Sequence, residues 1–193
     1  MDIFTQYWKE YIGSENYKSV IEQYSEPQRY YHTTSHLFRL LELFNKHKSK
    51  FSNARAVFLA VVFHDVVYDP QSKDNELNSA RLLKEWIGTD QDCTIAEQYI
   101  LATIKHSLIN DDQDLKYFLD FDLEVLSWDY EKYWNDYALQ IRKEYSRYSD
   151  SDYITGRTAV MSNFLKRERI YFSGIFDEAK ARENIQKELV SLQ

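Results

Sequence analysis

The chain is poor in the residues that interrupt helices. Its 193 residues include only 4 Gly and 2 Pro, which argues against a sandwich or barrel built from many tight turns. A single cysteine, Cys93, excludes an internal disulfide framework and a paired-cysteine zinc site. Apolar residues recur at helical spacing along the chain, and the length favours one domain. We therefore predict an all-α single-domain bundle over 1–193, with roughly eight to ten helices.

Positive charge is also scarce. The chain has 24 Lys and Arg against 31 Asp and Glu, a net charge of −7, and it shows no basic patch of the kind that binds nucleic acid. No uncharged stretch approaches the length of a membrane span, and the N-terminus lacks the regions of a signal peptide. These absences predict a cytoplasmic protein without nucleic-acid or membrane partners. They leave the oligomeric state open.

Histidine and aspartate are instead concentrated in a few segments. His64 and Asp65 close the apolar run 56–63, which predicts a buried helix, and both side chains are costly to bury unpaired. Upstream, His32 and His36 have the spacing that places two residues on one helix face. A buried His–Asp pair alone is more often structural than functional. Together with two upstream histidines, the pair indicates a site.

A third segment, Asp120-Phe121-Asp122, offers two further carboxylates. They lie about 200° apart on a helical wheel, so both cannot face one site. Asp122 shares the apolar side of its predicted helix, and an acid there needs a partner, which a metal supplies. An upstream histidine, His64-Asp65 and Asp122 thus form a mixed nitrogen–oxygen ligand set. Such a set suits Mn, Fe, Co, Ni or Zn better than Mg, and the ion cannot be chosen from sequence.

In this order the residues resemble the H…HD…D pattern of the HD superfamily of metal-dependent phosphohydrolases, and more closely a bacterial group of predicted HD phosphohydrolases. The resemblance runs from about Pro27 to the C-terminus. It implies one HD-type domain with N-terminal covering helices in 1–26, a metal-site core in 27–127 and C-terminal helices in 128–193. The segments that carry it are Pro27-x-Arg29-x-Tyr31-His32-x-x-x-His36, Phe63-His64-Asp65-x-x-Tyr68-Asp69, Asn75-Glu76-x-x-Ser79-Ala80, Ala102-Thr103-x-x-His106, Asp120-x-Asp122-Leu123, Arg142-x-Glu144-Tyr145 and Gly156-Arg157.

The spacing of His32 and His36 is also similar to the His-Asn-x-x-His segment of cyclic-nucleotide phosphodiesterases, although Thr33 stands where those enzymes have Asn. By that resemblance His32 would protonate the leaving oxygen and His36 would bind metal. His32 could otherwise orient a ligand. The predicted catalytic residues are His32 and Asp65, and the predicted ligands are His36, His64, Asp65 and Asp122.

Four further residues are predicted to bind substrate. Arg29 and Arg142 could hold phosphate oxygens, although Arg142 could equally pair with a carboxylate. Glu76 lies near the metal water or a substrate hydroxyl, or simply favours the first turn of a helix. The resemblance places a site histidine at His106, which could also be a helix-end residue. Lys105 is a weaker candidate for phosphate.

The predicted function is hydrolysis of a small phosphate ester, nucleotide-like, by a water activated by Mn, Fe, Co, Ni, Zn or Mg. Two other classes stay open. A di-iron HD oxygenase would need additional ligands, which His106 and an acid could provide. A non-catalytic HD ligand sensor is the other alternative. His47, in a lysine-rich stretch, is predicted to be exposed and outside the site.

Overall fold

A computed structural model describes residues 2–13 and 17–193, and these residues contain helices and no β-strand. The predicted all-α fold is confirmed. The eleven α-helical segments in the described part of the chain are α1 (Ile3–Tyr11), α2 (Tyr17–Tyr24), α3 (Thr34–His47), α4 (Ala54–Phe63), α5 (Asn75–Ile87), α6 (Gln91–Ala102), α7 (Gln113–Asp122), α8 (Tyr130–Tyr133), α9 (Leu139–Glu144), α10 (Asp150–Leu165) and α11 (Glu178–Ser191).

Helix α4 is the centre of the larger core. The Asn53 side chain caps its start by accepting the Ala56 N–H, and every residue from Ala56 to Phe63 is fully buried. Helices α3, α5, α6 and α7 pack around it. Since an apolar helix surrounded on all sides has little freedom to shift, its C-terminal end is a fixed point. His64 and Asp65 follow at that end.

The N-terminal helices cover this core. Phe4, Tyr7 and Trp8 of α1 are buried, and the hydroxyl of Tyr24 in α2 donates to the Val62 carbonyl at 3.2 Å. The sequence suggests Ser14 as the cap of the second helix, but Ser14 lies outside the described residues. Within the described ranges, no helix combines the length and the apolar character needed to cross a bilayer.

Two helices are shorter than the sequence predicts. Pro27 predicts a helix that begins there, because its missing N–H costs little at the first helical position; this is wrong, since α3 begins at Thr34 with Thr33 as its cap. The preceding backbone N–H groups bond to a distant carboxylate instead of to a helical turn. A helix continuing to His106 is also wrong, since α6 ends at Ala102. His32 and His106 therefore both lie on non-helical segments.

A second core joins the C-terminal helices. The predicted single helix over 129–148 is interrupted by a π-helical stretch, Trp134–Ala138, a feature often found near functional sites. It places the Tyr137 ring 4.8 Å from the Tyr31 ring. Below it, the buried Arg157 Nε donates to Glu188 Oε1 at 2.7 Å, which ties α10 to α11.

Candidate metal centre

The four predicted ligands converge on one point. One donor atom from each of His36, His64, Asp65 and Asp122 lies within 4.8 Å of all the others. Helix α3 contributes the first, the end of α4 positions the next two, and the end of α7 contributes the last. Both imidazoles are buried. The carboxylates keep side-chain exposures of 18% and 13%, which leaves the cluster reachable from solvent.

The orientation of the two imidazoles suits a cation. His64 Nδ1 lies 3.0 Å from the Val61 carbonyl, so it is the donor nitrogen and a neutral ring turns its Nε2 lone pair towards the cluster. That Nε2 is 3.2 Å from His36 Nε2 and 3.1 Å from Asp65 Oδ2. Lone pairs and carboxylate oxygens facing one another repel unless a positive charge lies between them.

The electrostatics of the cluster lead to the same requirement. Burial disfavours a charged His64, but Asp65 and Asp122 outweigh burial and raise its pKa well above the usual value. Burial lowers the pKa of His36 despite the same carboxylates. The cluster thus favours positive charge at its centre, and the nitrogen–oxygen donor set fits a divalent transition metal.

His32 lies beside this cluster with its two ring nitrogens in different environments. Nδ1 is 2.8 Å from Glu144 Oε2, and Nε2 is 3.8 Å from Asp65 Oδ2. The ring also packs on Tyr68, with centroids 4.3 Å apart. Burial acts to lower the pKa of His32, but the charges of Glu144 and Asp65 outweigh it, and the pKa is raised. A protonated His32 therefore turns an N–H towards the cluster.

Glu144 belongs to one of the segments that carry the resemblance, but the sequence predicts no role for it at the site. Its Oε1 accepts the backbone N–H groups of Tyr30, Tyr31 and His32 at 2.8 to 2.9 Å, and its Oε2 also accepts the Tyr68 hydroxyl. Burial opposes its charge, but His32 and these donors lower the pKa of Glu144 to about 2. Its three-residue spacing from the apolar Ile141 was the available signal, because that spacing places an acid on a buried face.

Arg29 does not serve the predicted phosphate-binding role. Its side chain is fully buried, and its guanidinium donates to the carbonyls of His32, Asp65 and Val66 at 2.7 to 3.1 Å. Nε donates to Glu26. Four of the five N–H donors of this buried guanidinium are thus engaged within the protein, so it is not accessible to a phosphate. It joins the two segments that carry His32 and Asp65.

Arg142, the other arginine predicted to hold a phosphate oxygen, already has partners within the protein. It pairs with Asp150 and donates to the Tyr145 carbonyl, which is the alternative that the sequence allowed.

Glu76 occupies the first turn of α5. Its neighbour Asn75 binds the backbone of Asp69 through both side-chain groups. The α5 terminus thus fastens the loop after Asp65.

His106 contacts a predicted ligand. Its Nε2 is 2.8 Å from Asp122 Oδ2, while Asp122 Oδ1 faces His36 at 3.3 Å. Asp120, by contrast, is fully buried and accepts the backbone N–H groups of Phe172 and Ser173. The two aspartates thus point to different sites, as the wheel predicts. His106 lies behind the cluster, where it can orient a ligand.

His47 lies outside the cluster, but its predicted exposure is wrong. The side chain is half-buried, with its ring 5.5 Å from Tyr117 and 5.8 Å from Phe121. Burial and the nearby Lys46 and Lys50 lower its pKa. These ring contacts pack His47 against α7 and away from the cluster.

A hollow of about 440 Å³ lies next to the site. Tyr68 and Glu144 form part of its wall, and the other lining residues include Lys143, Arg147 and Tyr148. None of the four clustered ligands lines it. The hollow therefore borders Tyr68 and Glu144, which contact His32, but not the clustered residues themselves.

Comparison of the chain with protein-family models, curated proteins and solved structures gives no match. The resemblance to HD phosphohydrolases therefore remains a prediction from the motif residues.

Proposed function

We propose that this chain is a metal-dependent phosphohydrolase acting on a small, nucleotide-like phosphate ester. One observation carries the proposal: two imidazole nitrogens and two carboxylates meet within 4.8 Å, and His32 Nε2 lies 3.8 Å from one of those carboxylates. A ligand cluster with an adjacent imidazole, whose pKa is raised by Glu144 and Asp65 despite burial, combines the two components that ester hydrolysis uses.

In this proposal, different residues of the chain bind the ion, donate the proton and position the proton donor. His36, His64, Asp65 and Asp122 would hold the ion. Once bound, a divalent ion lowers the pKa of a coordinated water and stabilises charge on the phosphoryl group. His32 would donate its Nε2 proton to the leaving oxygen. Glu144 keeps Nδ1 of His32 engaged, so that the transferable proton stays on the nitrogen that faces the cluster.

Attraction for a phosphate must come from a few local cations, because the net charge is −7. Of the cations that the sequence suggested, Arg29 and Arg142 are engaged elsewhere. Lys105 is exposed and precedes the residue that contacts Asp122. It is our candidate for contacting a phosphate oxygen.

The test is metal analysis of the purified protein, followed by a screen of phosphomonoesters, phosphodiesters and nucleotides with Mn, Fe, Co, Ni, Zn and Mg. We expect one or more of these ions to bind and to support phosphate release, and His64→Ala to abolish both. Two irons per chain with consumption of dioxygen would replace the proposal by an oxygenase. A bound ion without turnover of any ester would favour a ligand sensor.

A further inference from the structure

The non-helical segment after α6 is held in place from a distant part of the chain. Arg167, which follows α10, donates from Nη1 to the His106 carbonyl at 2.7 Å and from Nη2 to the Lys105 carbonyl at 2.6 Å. Its guanidinium lies 4.3 Å from the centre of the Phe164 ring. Two parallel bonds from one planar group fix the orientation of the peptide that they bind.

That peptide has an uncommon conformation. His106 has φ of 42° and is the only non-glycine residue with positive φ in the described part of the chain. Such a conformation is unfavourable for a residue with a side chain, and it persists where surrounding contacts impose it. The two Arg167 bonds lie directly on the strained residue and its predecessor.

The conformation has a consequence for the metal centre. It brings His106 Nε2 to 2.8 Å from Asp122 Oδ2. The other oxygen of the same carboxylate lies 3.3 Å from His36 and 3.5 Å from His64. Fixing Oδ2 therefore sets the direction in which Oδ1 points.

From these contacts we infer that Arg167 is a positioning residue for the metal centre: it holds His106 in a strained conformation, and His106 orients the Asp122 carboxylate towards the ion. The inference rests on the proposed function, since it requires the four-residue cluster to bind a divalent cation. Hydrogen-bond partners of ligating groups typically contribute 10–100-fold to metal affinity.

The experiment measures Mn²⁺ affinity, from the EPR signal of the free ion, in the wild type, Arg167→Ala, His106→Ala and the double variant. We expect about 10–100-fold weaker binding in each single variant. The double variant should bind no more weakly than His106→Ala, because both changes interrupt one path. Arg167→Lys, which keeps the charge but loses the planar pair of donor nitrogens, should fall between the wild type and Arg167→Ala.

Arg55→Ala is the matched control. Arg55 also binds a backbone carbonyl, that of Tyr11 at 2.9 Å, and pairs with Asp90 and Asp92, so its loss should lower stability without changing Mn²⁺ affinity. Thermal unfolding without metal separates the two effects. If Arg167→Ala or Arg167→Lys is destabilised yet binds Mn²⁺ as tightly as the wild type, Arg167 is purely structural and the inference fails. A wild-type chain that binds no divalent ion would overturn the proposed metal centre itself.

Discussion

His32 and His106 flank the same cluster on non-helical segments, yet they are held in different ways. A carboxylate, Glu144, binds the ring of His32 directly and raises its pKa with Asp65. His106 is held through its backbone carbonyl by Arg167, and its ring contacts Asp122. Glu144 therefore fixes the ring of His32, whereas Arg167 fixes the backbone of His106, whose ring contacts Asp122. Under the proposed function, His32 is the proton donor and His106 orients a ligand.

The largest expected effect concerns the cluster that both histidines border. His64→Ala removes a buried ligand at the end of α4, so we expect the variant to lose its bound ion completely. His47→Ala is the matched control, because that half-buried imidazole packs on Tyr117 and Phe121 away from the cluster. Metal content by mass spectrometry checks both. Equal metal content in the wild type and His64→Ala would reject the ligand assignment.

The different roles of His32 and His106 are tested most directly by the turnover of two variants with different ester substrates. His32→Ala should keep the ion and lower turnover about 10²–10⁴-fold, with a smaller loss for nitrophenyl esters, whose leaving groups need no proton. His106→Ala should lower turnover by the same factor for good and poor leaving groups, because it acts through the metal. Rates measured with a series of esters at one metal concentration, below saturation for His106→Ala, distinguish them. Identical leaving-group dependence in the two variants would contradict the different roles.

A third prediction concerns Glu144, the carboxylate that binds the ring of His32, and its contribution to stability at different pH values. Its pKa is lowered from 4.5 to about 2, so the unfolded chain binds more protons between those values. The carboxylate's contribution, on the order of 3 kcal/mol, is thus present above a pH of about 4.5 and lost as the pH falls to about 2. Glu144→Gln should be less stable than the wild type near neutrality, with the difference disappearing in acid.

Urea unfolding at several pH values measures that difference. Asp111→Asn serves as the control, because Asp111 is an exposed acid paired only with Lys116 at the surface. Its loss should change stability little at any pH. A gap between the wild type and Glu144→Gln that stays constant from neutrality to pH of about 2 would show that the carboxylate is not selectively charged in the folded state.

The smallest effect that we predict is the loss of stability in Asp120→Asn. It separates the roles of the two aspartates of α7. Asp120→Asn should lower the free energy of unfolding by about 1–3 kcal/mol, because Asp120 accepts the N–H groups of Phe172 and Ser173, but it should keep metal affinity. Asp122→Asn should weaken metal binding strongly. Calorimetric titration with Mn²⁺, together with thermal unfolding, checks the pair. Retention of the ion by Asp122→Asn with loss by Asp120→Asn would reverse our assignment.

The sequence predicts the positions of site residues that lie on helices or at helix ends. Helix α4 and the placement of His64 at its end follow from one apolar run, and the wheel separates Asp120 from Asp122 because both lie on α7. Residues fixed by distant contacts were less accessible. Glu144 meets His32 across 112 positions, and Arg167 meets His106 across 61. No local periodicity encodes such pairs, and the same holds for the bonds from Arg29 to the carbonyls of Asp65 and Val66.

The buried guanidinium of Arg29 has a consequence for the energetics of binding. The guanidinium donates to the carbonyls of His32, Asp65 and Val66. The segment that holds His32 and the segment that holds Asp65 and Val66 are more than thirty positions apart in the chain. The spacing between the two segments is therefore set when the chain folds, before any ion or ester arrives. Groups arranged in advance need little reorganisation when charge develops beside them, and this keeps the barrier of a reaction low.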